Sequence, residues 1–396
     1  MPQSVPALVG AAPAAAGGWI TALAGLLALA AAVGIGRFAF TPILPMMQED
    51  AGVSVAHGGW LASANYAGYL VGALWALLHS VRPDYAVRAA LLVTSVATLA
   101  MGLADGIVSW LLLRGVAGIS SAWALIGVTS WCVQRLAPLR RPLLNGMLFS
   151  GVGCGIVLAG GLCLALMTAG AGSRAAWLAH GVLGLAATLI VWPVIGVSRT
   201  FAATAAPPRY RWTGDAVRLV LCYGAFGLGY IIPATFVPVM AKQVIHDPLV
   251  FGWAWPMFGL AAIGSTLLAA QLTRRMTHRR IWMTGCLLLA FGVLSPLLLP
   301  GLTGIVLAAL LVGGTFMVVT MAAAQVAREV AGPAAGVVIA AMTAAFALGQ
   351  IAGPVLVSVL VERSHGFTQA LVIAFAVLIA SVVALMFNPT PRYKKP

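Results

Sequence analysis

The sequence predicts an all-α integral membrane protein of twelve transmembrane helices. Hydrophobic residues make up 62% of the chain and charged residues only 8%, and apolar stretches of membrane-spanning length recur along it. A soluble domain carries about 25% charged residues. A helix that crosses the roughly 30 Å hydrocarbon core needs about 20 mostly apolar residues. Lipid rather than water is therefore the main solvent of this chain.

The apolar segments follow one another with short polar breaks. They are too long and too uniformly apolar for the alternating strands of a membrane β-barrel. In order, they cover 19–47, 58–79, 88–104, 107–134, 143–169, 176–197, 216–240, 250–273, 281–299, 303–327, 335–361 and 367–387. Residues 1–18 are rich in Ala, Pro and Gly and lack a basic region, so we expect a flexible N-terminal segment and no cleaved signal peptide.

The positions of the basic residues predict the orientation in the membrane. If the N-terminus is cytoplasmic, most of the 22 Lys and Arg residues fall in cytoplasmic loops, whereas Arg174, Lys242 and Arg363 fall outside. The positive-inside rule then places both termini in the cytoplasm, and we expect a multi-pass protein of the bacterial inner membrane. The basic loops lie at membrane level without interleaved aromatic residues, so the net charge of +14 does not indicate a nucleic acid partner.

The chain contains a parallel repeat. Its two copies lie 193 residues apart, so that Gly34 falls on Gly227, Gly36 on Gly229, Pro45 on Pro238 and Met47 on Met240. Glycine and proline mark such a duplication because they fix backbone geometry whatever lines a cavity. We expect a six-helix bundle over 19–197, a cytoplasmic linker over 198–215, a second six-helix bundle over 216–387 and a basic cytoplasmic tail over 388–396.

Several motifs carry a family resemblance. The fourth segment reads LLLRGVAGISSAWALIG from Leu111 to Gly127, and the loop after the eighth reads TRRMTHRR from Thr273 to Arg280. With the parallel six-plus-six repeat and the long basic central loop, they resemble the major facilitator superfamily over essentially the whole chain. The stretches GRFAFTPILPMM and GGWLASANYAGYLVGAL are similar to a poorly characterised bacterial group within it, the YbfB/YjiJ-type transporters. The resemblance implies a central cavity between the halves, lined chiefly by segments 1, 4, 7 and 10, that opens alternately to either side.

Two arginines lie deep inside the predicted membrane segments, Arg37 in the first and Arg114 in the fourth. Ionisable residues are costly there and are functional candidates by default, and the acidic residues all lie at segment ends or in loops. A guanidinium keeps its proton, and its planar fork fits a carboxylate or a phosphate. We therefore predict an anionic or carboxylate-bearing small-molecule substrate. In the structural alternative, Pro42 and Pro45 free backbone carbonyls that satisfy Arg37, and Arg114 belongs to a motif shared across many substrates.

The repeat places Tyr230 at the position equivalent to Arg37, so the two copies differ where a substrate would sit. Tyr230 could stack on or hydrogen-bond to the uncharged part of a substrate held by Arg37. Helix packing is at least as good an explanation for the further candidates, which are Asn65, Tyr66, Tyr69, Gln325 and Gln350.

The sequence contains no nucleotide-binding loop, no nucleophile arrangement and no metal-ligand spacing among its five cysteines. We expect neither an enzyme nor a cofactor or metal, but a monomeric secondary active or facilitative transporter, with a proton or a counter-anion as candidate coupling partner. The lack of a membrane-embedded acid argues against cation/proton antiport. The alternatives are efflux of neutral sugars or amphiphilic drugs and, less favoured because no soluble signalling domain is present, a non-transporting membrane sensor.

Overall fold

The computed structural model describes residues 11–78, 82–139, 141–195, 210–245, 247–272, 275–364 and 366–387. These residues form helices joined by turns. The α-helices are α1 (Ala11–Leu29), α2 (Phe40–Asp50), α3 (Val55–Leu78), α4 (Pro83–Met101), α5 (Ile107–Leu136), α6 (Pro142–Thr168), α7 (Ser173–Val191), α8 (Gly214–Val244), α9 (Pro248–Phe251), α10 (Ala254–Leu272), α11 (His278–Leu298), α12 (Leu302–Ala331), α13 (Ala335–Ser364) and α14 (Thr368–Met386).

The helices supply the twelve predicted spans. Among the described residues, ten helical segments are long and apolar enough to cross a membrane, with α1 and α2 together forming one of them. Helix α3 and the shorter apolar helix α10, which follows α9, complete the twelve. The prediction of an all-α membrane protein is therefore confirmed. Of the predicted linker and tail, residues 198–209 and 388–396 lie outside the described residues.

The sequence predicted the first span as one continuous segment over 19–47, but in the structure its helix is broken. Helix α1 already begins at Ala11, inside the segment expected to be flexible, because its alanines are strong helix formers. It continues as a π-helix over Ala30–Ile35, and a turn over 36–39 precedes α2. Pro42 has no amide hydrogen to donate to the carbonyl of Phe38, which instead accepts from the amide of Thr41 at 3.2 Å. The helix is thereby broken in the middle of the span.

The helices pack as two bundles. In the first, α3 and α4 pack on α5, α4 also packs on α7, and α1 packs on α6. In the second, α10 and α11 pack on α12, α11 also packs on α14, and α8 packs on α13. The bundles meet along α3 with α13, α6 with α10, and α2 with α8. The repeat relates α3 to α10 and α6 to α13, so the first two interfaces are one interface repeated by a pseudo-twofold axis.

Candidate functional site

Arg37 lies in the turn that breaks the first span, between the two bundles. Its side chain is only 6% exposed. Its Nη2 donates a hydrogen bond to Oε1 of Gln350 in α13, at 2.6 Å. The Nε2 of Gln350 in turn donates to the hydroxyl of Tyr230 in α8, at 2.7 Å. A chain of hydrogen bonds thus joins the two residues that the repeat places at equivalent positions.

Aromatic rings surround the guanidinium of Arg37. Its central carbon lies 4.6 Å from the ring centroid of Tyr69, 4.9 Å from that of Tyr66 and 5.3 Å from that of Phe38. These distances fall inside the roughly 6 Å range of a cation–π interaction. The hydroxyl of Tyr66 also shares a hydrogen bond with the hydroxyl of Thr235 in α8, at 3.2 Å. This hydrogen bond connects the aromatic residues around Arg37 to α8.

A second set of rings comes from the C-terminal bundle. Tyr230 lies between Phe316 of α12 and Phe346 of α13, with centroid distances of 5.7 and 5.6 Å and interplanar angles of 3° and 8°. The contacts continue from ring to ring through Phe316, Phe258, Trp255 and Phe38. Arg37 and Tyr230 are therefore part of one aromatic cluster that spans both bundles.

The guanidinium of Arg37 has no carboxylate partner within the described residues. The acidic side chains that form ion pairs there do so with other basic groups, and none lies within 4 Å of Arg37 or Arg114. The Nε of Arg37 is buried and has no hydrogen-bond partner in the described part of the chain. A buried cation that faces neutral groups favours the binding of an anion.

Arg114 is buried beside the same turn but has a different set of partners. Its Nη1 donates to the carbonyl of Gly36 at 3.4 Å and its Nη2 to the carbonyl of Arg37 at 3.3 Å. Its central carbon lies 4.6 Å from the ring centroid of Phe40. These carbonyls belong to the turn that breaks the first span, so Arg114 binds the turn from α5. The sequence-based alternative concerned Arg37 and the carbonyls of Phe38 and Thr41, which lie before Pro42 and Pro45. Arg114 instead binds the carbonyls of Gly36 and Arg37.

The structure brings some of the predicted site residues together and leaves others apart. Asn65 donates to the backbone carbonyl of Arg114 at 2.9 Å, which ties α3 to α5. Gln325 accepts from Arg328 at 3.4 Å and lies nine residues beyond Phe316, about 13 Å along α12 at roughly 1.5 Å per residue. The residues that meet are Arg37, Tyr66, Tyr69, Tyr230 and Gln350.

Sequence reasoning missed Phe316 and Phe346. Both are apolar residues in apolar helices, so composition and periodicity do not single them out. The repeat held one signal. Phe346 is the equivalent of Gly153, and an aromatic ring in place of glycine indicates that the two bundles are used differently. The equivalent of Phe316 is Trp123, which is also aromatic.

Direct contacts between repeat-related residues close one side of the site. The hydroxyl of Thr41 donates to the carbonyl of Ala234 at 3.1 Å, and Nζ of Lys242 lies 3.0 Å from Oε2 of Glu49. Each pair is 193 residues apart in the chain. Residues related by a twofold axis touch each other only near that axis. The pseudo-twofold axis therefore runs between α2 and the C-terminal part of α8.

Comparisons with known proteins agree with this architecture. The profile of a family described as uncharacterised MFS-type transporter YbfB matches residues 29–386. No curated protein matches the chain by sequence. A crystal structure of a mutant of the nucleoside transporter NupG is similar, with a TM-score of 0.72 at 14% identity, over 93% of this chain and 100% of that chain. At this identity the likeness concerns the fold alone, and that fold is the one the sequence predicted.

Proposed function

This chain belongs to the YbfB family of transporters of the major facilitator superfamily, and from that premise we propose that it carries a small organic anion across the membrane by alternating access. Family and fold are those of multi-pass membrane transporters, and they imply a small-molecule substrate. We propose three further points: the anionic class of that substrate, the residues that bind it, and the orientation of the protein in the membrane.

The observation that carries the proposal is the pairing of Arg37 with Gln350. The amide oxygen of Gln350 lies 2.6 Å from Nη2 of Arg37, a distance typical of a charge-assisted hydrogen bond. We propose that this oxygen lies where a substrate carboxylate oxygen would bind. A carboxylate would bind better than the amide because it offers two oxygens and a negative charge to the guanidinium fork.

The aromatic cluster supports a substrate whose body is apolar and flat. Tyr66 and Tyr69 flank the cation, while Tyr230 and Phe316 present nearly parallel rings on the other bundle. Aromatic faces favour offset stacking with another ring. We therefore propose an aromatic carboxylate, with its charged group at Arg37 and its ring beside Tyr66 and Tyr69. Tyr230, whose ring is stacked on Phe316 and Phe346, would contribute its hydroxyl.

Arg114 and Asn65 have structural roles in this proposal, since their hydrogen bonds go to backbone carbonyls near the broken helix. Gln325 lies outside the proposed site. The substrate site is then formed by Arg37, Tyr66, Tyr69, Tyr230 and Gln350.

We propose that the protein lies in the bacterial inner membrane as a monomer with both termini in the cytoplasm. The basic side chains of Arg82, Arg88 and Arg279 then lie at cytoplasmic helix ends, as the positive-inside rule requires. The contact between Glu49 and Lys242 lies on the outer side. Transport would use a proton or a counter-anion gradient, with no cofactor and no enzymatic step.

Thermal unfolding of the purified protein tests the anion site. The probes are benzoate and a panel of other carboxylates, each paired with its neutral amide, so that ring and size stay constant. We expect a carboxylate to raise the Tm of the wild type more than its amide, and the difference to disappear in Arg37→Gln. The control is Arg174→Gln, which removes an exposed arginine of the Arg174–Asp105 pair and should keep the wild-type response.

Two results would contradict the proposal. Equal stabilisation by acids and amides would favour transport of neutral solutes and leave Arg37 a structural residue. An undiminished carboxylate response in Arg37→Gln would place the anion elsewhere.

A further inference from the structure

A groove runs along the surface of the C-terminal bundle that faces away from the other bundle. Helices α10 and α11 form its sides, and α12 forms its base. Its volume is about 650 Å³, inside the range of about 300–1,000 Å³ that is typical of ligand sites. Its walls are mostly aliphatic and include Leu268, Leu272, Ile281, Leu288 and Val318. Leu268 and Leu288 are 55% and 43% exposed, so in a protein that spans the membrane this groove faces the acyl chains of the bilayer.

Small residues form the floor of the groove. Gly285 of α11 and Gly314 of α12 both line it, and α10 and α11 each pack on α12. The residues at the equivalent positions of the N-terminal bundle differ. Trp75 is the equivalent of Leu268, and its ring packs on that of Trp123 with a centroid distance of 4.8 Å. The two bundles thus carry different side chains at this position of the groove.

The mouth of the groove is positively charged. Arg275 lines it, and Arg280 is exposed at the start of α11. Within the described residues, neither arginine has a carboxylate within 4 Å. The neighbouring Arg279 pairs with Asp215, and His278 pairs with Glu329. The groove therefore combines an aliphatic wall with one lining cation, Arg275, and Arg280 lies one residue before Ile281 of the wall.

We propose that this groove binds an anionic phospholipid of the cytoplasmic leaflet, with an acyl chain along Leu268, Ile281 and Leu288 and the phosphate at Arg275. Basic pockets between transmembrane helices at the cytoplasmic surface are suited to anionic lipid headgroups. A free anion would leave the aliphatic wall unused, and a neutral lipid would leave the charge of Arg275 unused. The bound lipid would lie against Thr315 and Val318 of α12, the helix that also carries Phe316 of the aromatic cluster. This inference rests on the proposed orientation in the membrane, but not on the nature of the transported substrate.

Lipid-dependent thermal unfolding of the delipidated, detergent-purified protein tests the proposal. The probes are dioleoyl phosphatidylglycerol, dioleoyl phosphatidylcholine and inorganic phosphate. In the wild type we expect phosphatidylglycerol to raise the Tm clearly more than phosphatidylcholine, and phosphate alone to have no effect. Arg275→Gln and Leu268→Trp, which introduces the residue found in the other bundle, should each lose at least half of the phosphatidylglycerol excess.

Arg141→Gln is the matched control, since Arg141 is another exposed arginine beside a membrane helix, and it should keep the full excess. The Tm of each variant in phosphatidylcholine shows whether it is folded. Native mass spectrometry provides the second readout, with fewer retained phosphatidylglycerol molecules expected on both groove variants than on Arg141→Gln. The proposal is wrong if phosphatidylglycerol gives no excess in the wild type, if both groove variants keep the excess, or if inorganic phosphate reproduces it.

Discussion

Arg37 carries a permanent charge in a buried site where no described carboxylate lies within 4 Å, and the guanidinium of Arg114 lies against its backbone carbonyl. Burial of an ion costs several kcal/mol in real proteins even after relaxation. Cation–π contacts return about 0.5–2 kcal/mol each, and Tyr69, Tyr66 and Phe38 supply three of them. The hydrogen bond to the amide of Gln350 supplies a further part, but no negative charge. In our proposal, an anionic substrate supplies that negative charge.

The substitution Gln350→Glu should abolish the response to carboxylates. A glutamate at this position would place its own carboxylate against the guanidinium of Arg37 and occupy the site from within the chain. The thermal shift measured with benzoate and the rest of the carboxylate panel should disappear, while the Tm without ligand should not fall. The readout is the same acid-versus-amide comparison in thermal unfolding.

Gln325→Glu is the matched control, because Gln325 lies toward the end of α12 near Arg328 and outside the proposed site. That variant should respond to carboxylates like the wild type. If Gln350→Glu also retained the wild-type response, Gln350 would not stand in for a substrate carboxylate.

At the scale of the element, the break in the first span decides where Arg37 lies. The π-helix of Ala30–Ile35 and the turn after it set Arg37 between the bundles, and the carbonyls of this turn accept from Arg114. Breaks of this kind are tolerated inside a membrane only where neighbouring groups satisfy the freed backbone. Arg114 provides that satisfaction from α5.

Arg114→Gln should therefore lower stability without removing ligand recognition. Leaving the carbonyls of Gly36 and Arg37 unsatisfied should cost about 1–3 kcal/mol each. We expect a lower Tm and a retained difference between carboxylates and amides. Arg174→Gln serves as the control, since an exposed ion pair is worth about 0–1 kcal/mol and its loss should change the Tm little. A stable Arg114→Gln variant that no longer responds to carboxylates would instead place Arg114 in the substrate site.

The sequence predicted the helices far better than the break. Apolar length and polar loops fix the spans because the bilayer imposes both, and the structure reproduces all twelve. Pro42 and Pro45 indicated irregularity near Arg37, but not that Arg114 would reach across from α5 to the turn. That contact depends on tertiary packing, as does the alignment of Gln350 with Arg37, and neither is encoded in local periodicity.

At the scale of the molecule, the pseudo-twofold axis explains which side of the site is closed. Glu49 with Lys242 and Thr41 with Ala234 join equivalent positions of the two bundles. In the described structure, the ion pair Arg279–Asp215 and the hydrogen-bonded pair His278–Glu329 at the other end each lie within one bundle. We expect opening of the outer side to separate the pairs on the axis during transport.

Reversal of the charge of Glu49, which pairs with Lys242 near the pseudo-twofold axis, should favour opening of the outer side. The reporter is Thr41→Cys, whose parent side chain is 2% exposed, labelled with a membrane-impermeant maleimide. Glu49→Lys should raise its labelling rate several-fold, because an attractive exposed pair worth about 0.2–1 kcal/mol becomes a repulsive one. The double variant Glu49→Lys/Lys242→Glu should return the rate toward that of the reporter alone. The protein without the reporter measures the background from its own cysteines, and equal rates in all reporter variants would show that the pair does not close this side.

The duplication was visible in the sequence because glycine and proline preserve backbone geometry in both copies. Its consequence was not visible, since an offset alone does not show which equivalent residues meet on the axis. Arg37 and Tyr230 were identified as a break in the symmetry, and the structure places Gln350 between them. Whether these residues bind substrate is still a prediction.

The most direct test of the central claim is uptake into proteoliposomes of the carboxylate that gives the largest thermal shift. The account predicts saturable uptake by the wild type and by Arg174→Gln. Arg37→Gln should bind this carboxylate about tenfold to a hundredfold more weakly, because a hydrogen bond to a charged group contributes about 1.5–3 kcal/mol. Uptake by Arg37→Gln with the affinity and rate of the wild type would contradict the claim that Arg37 binds the substrate anion.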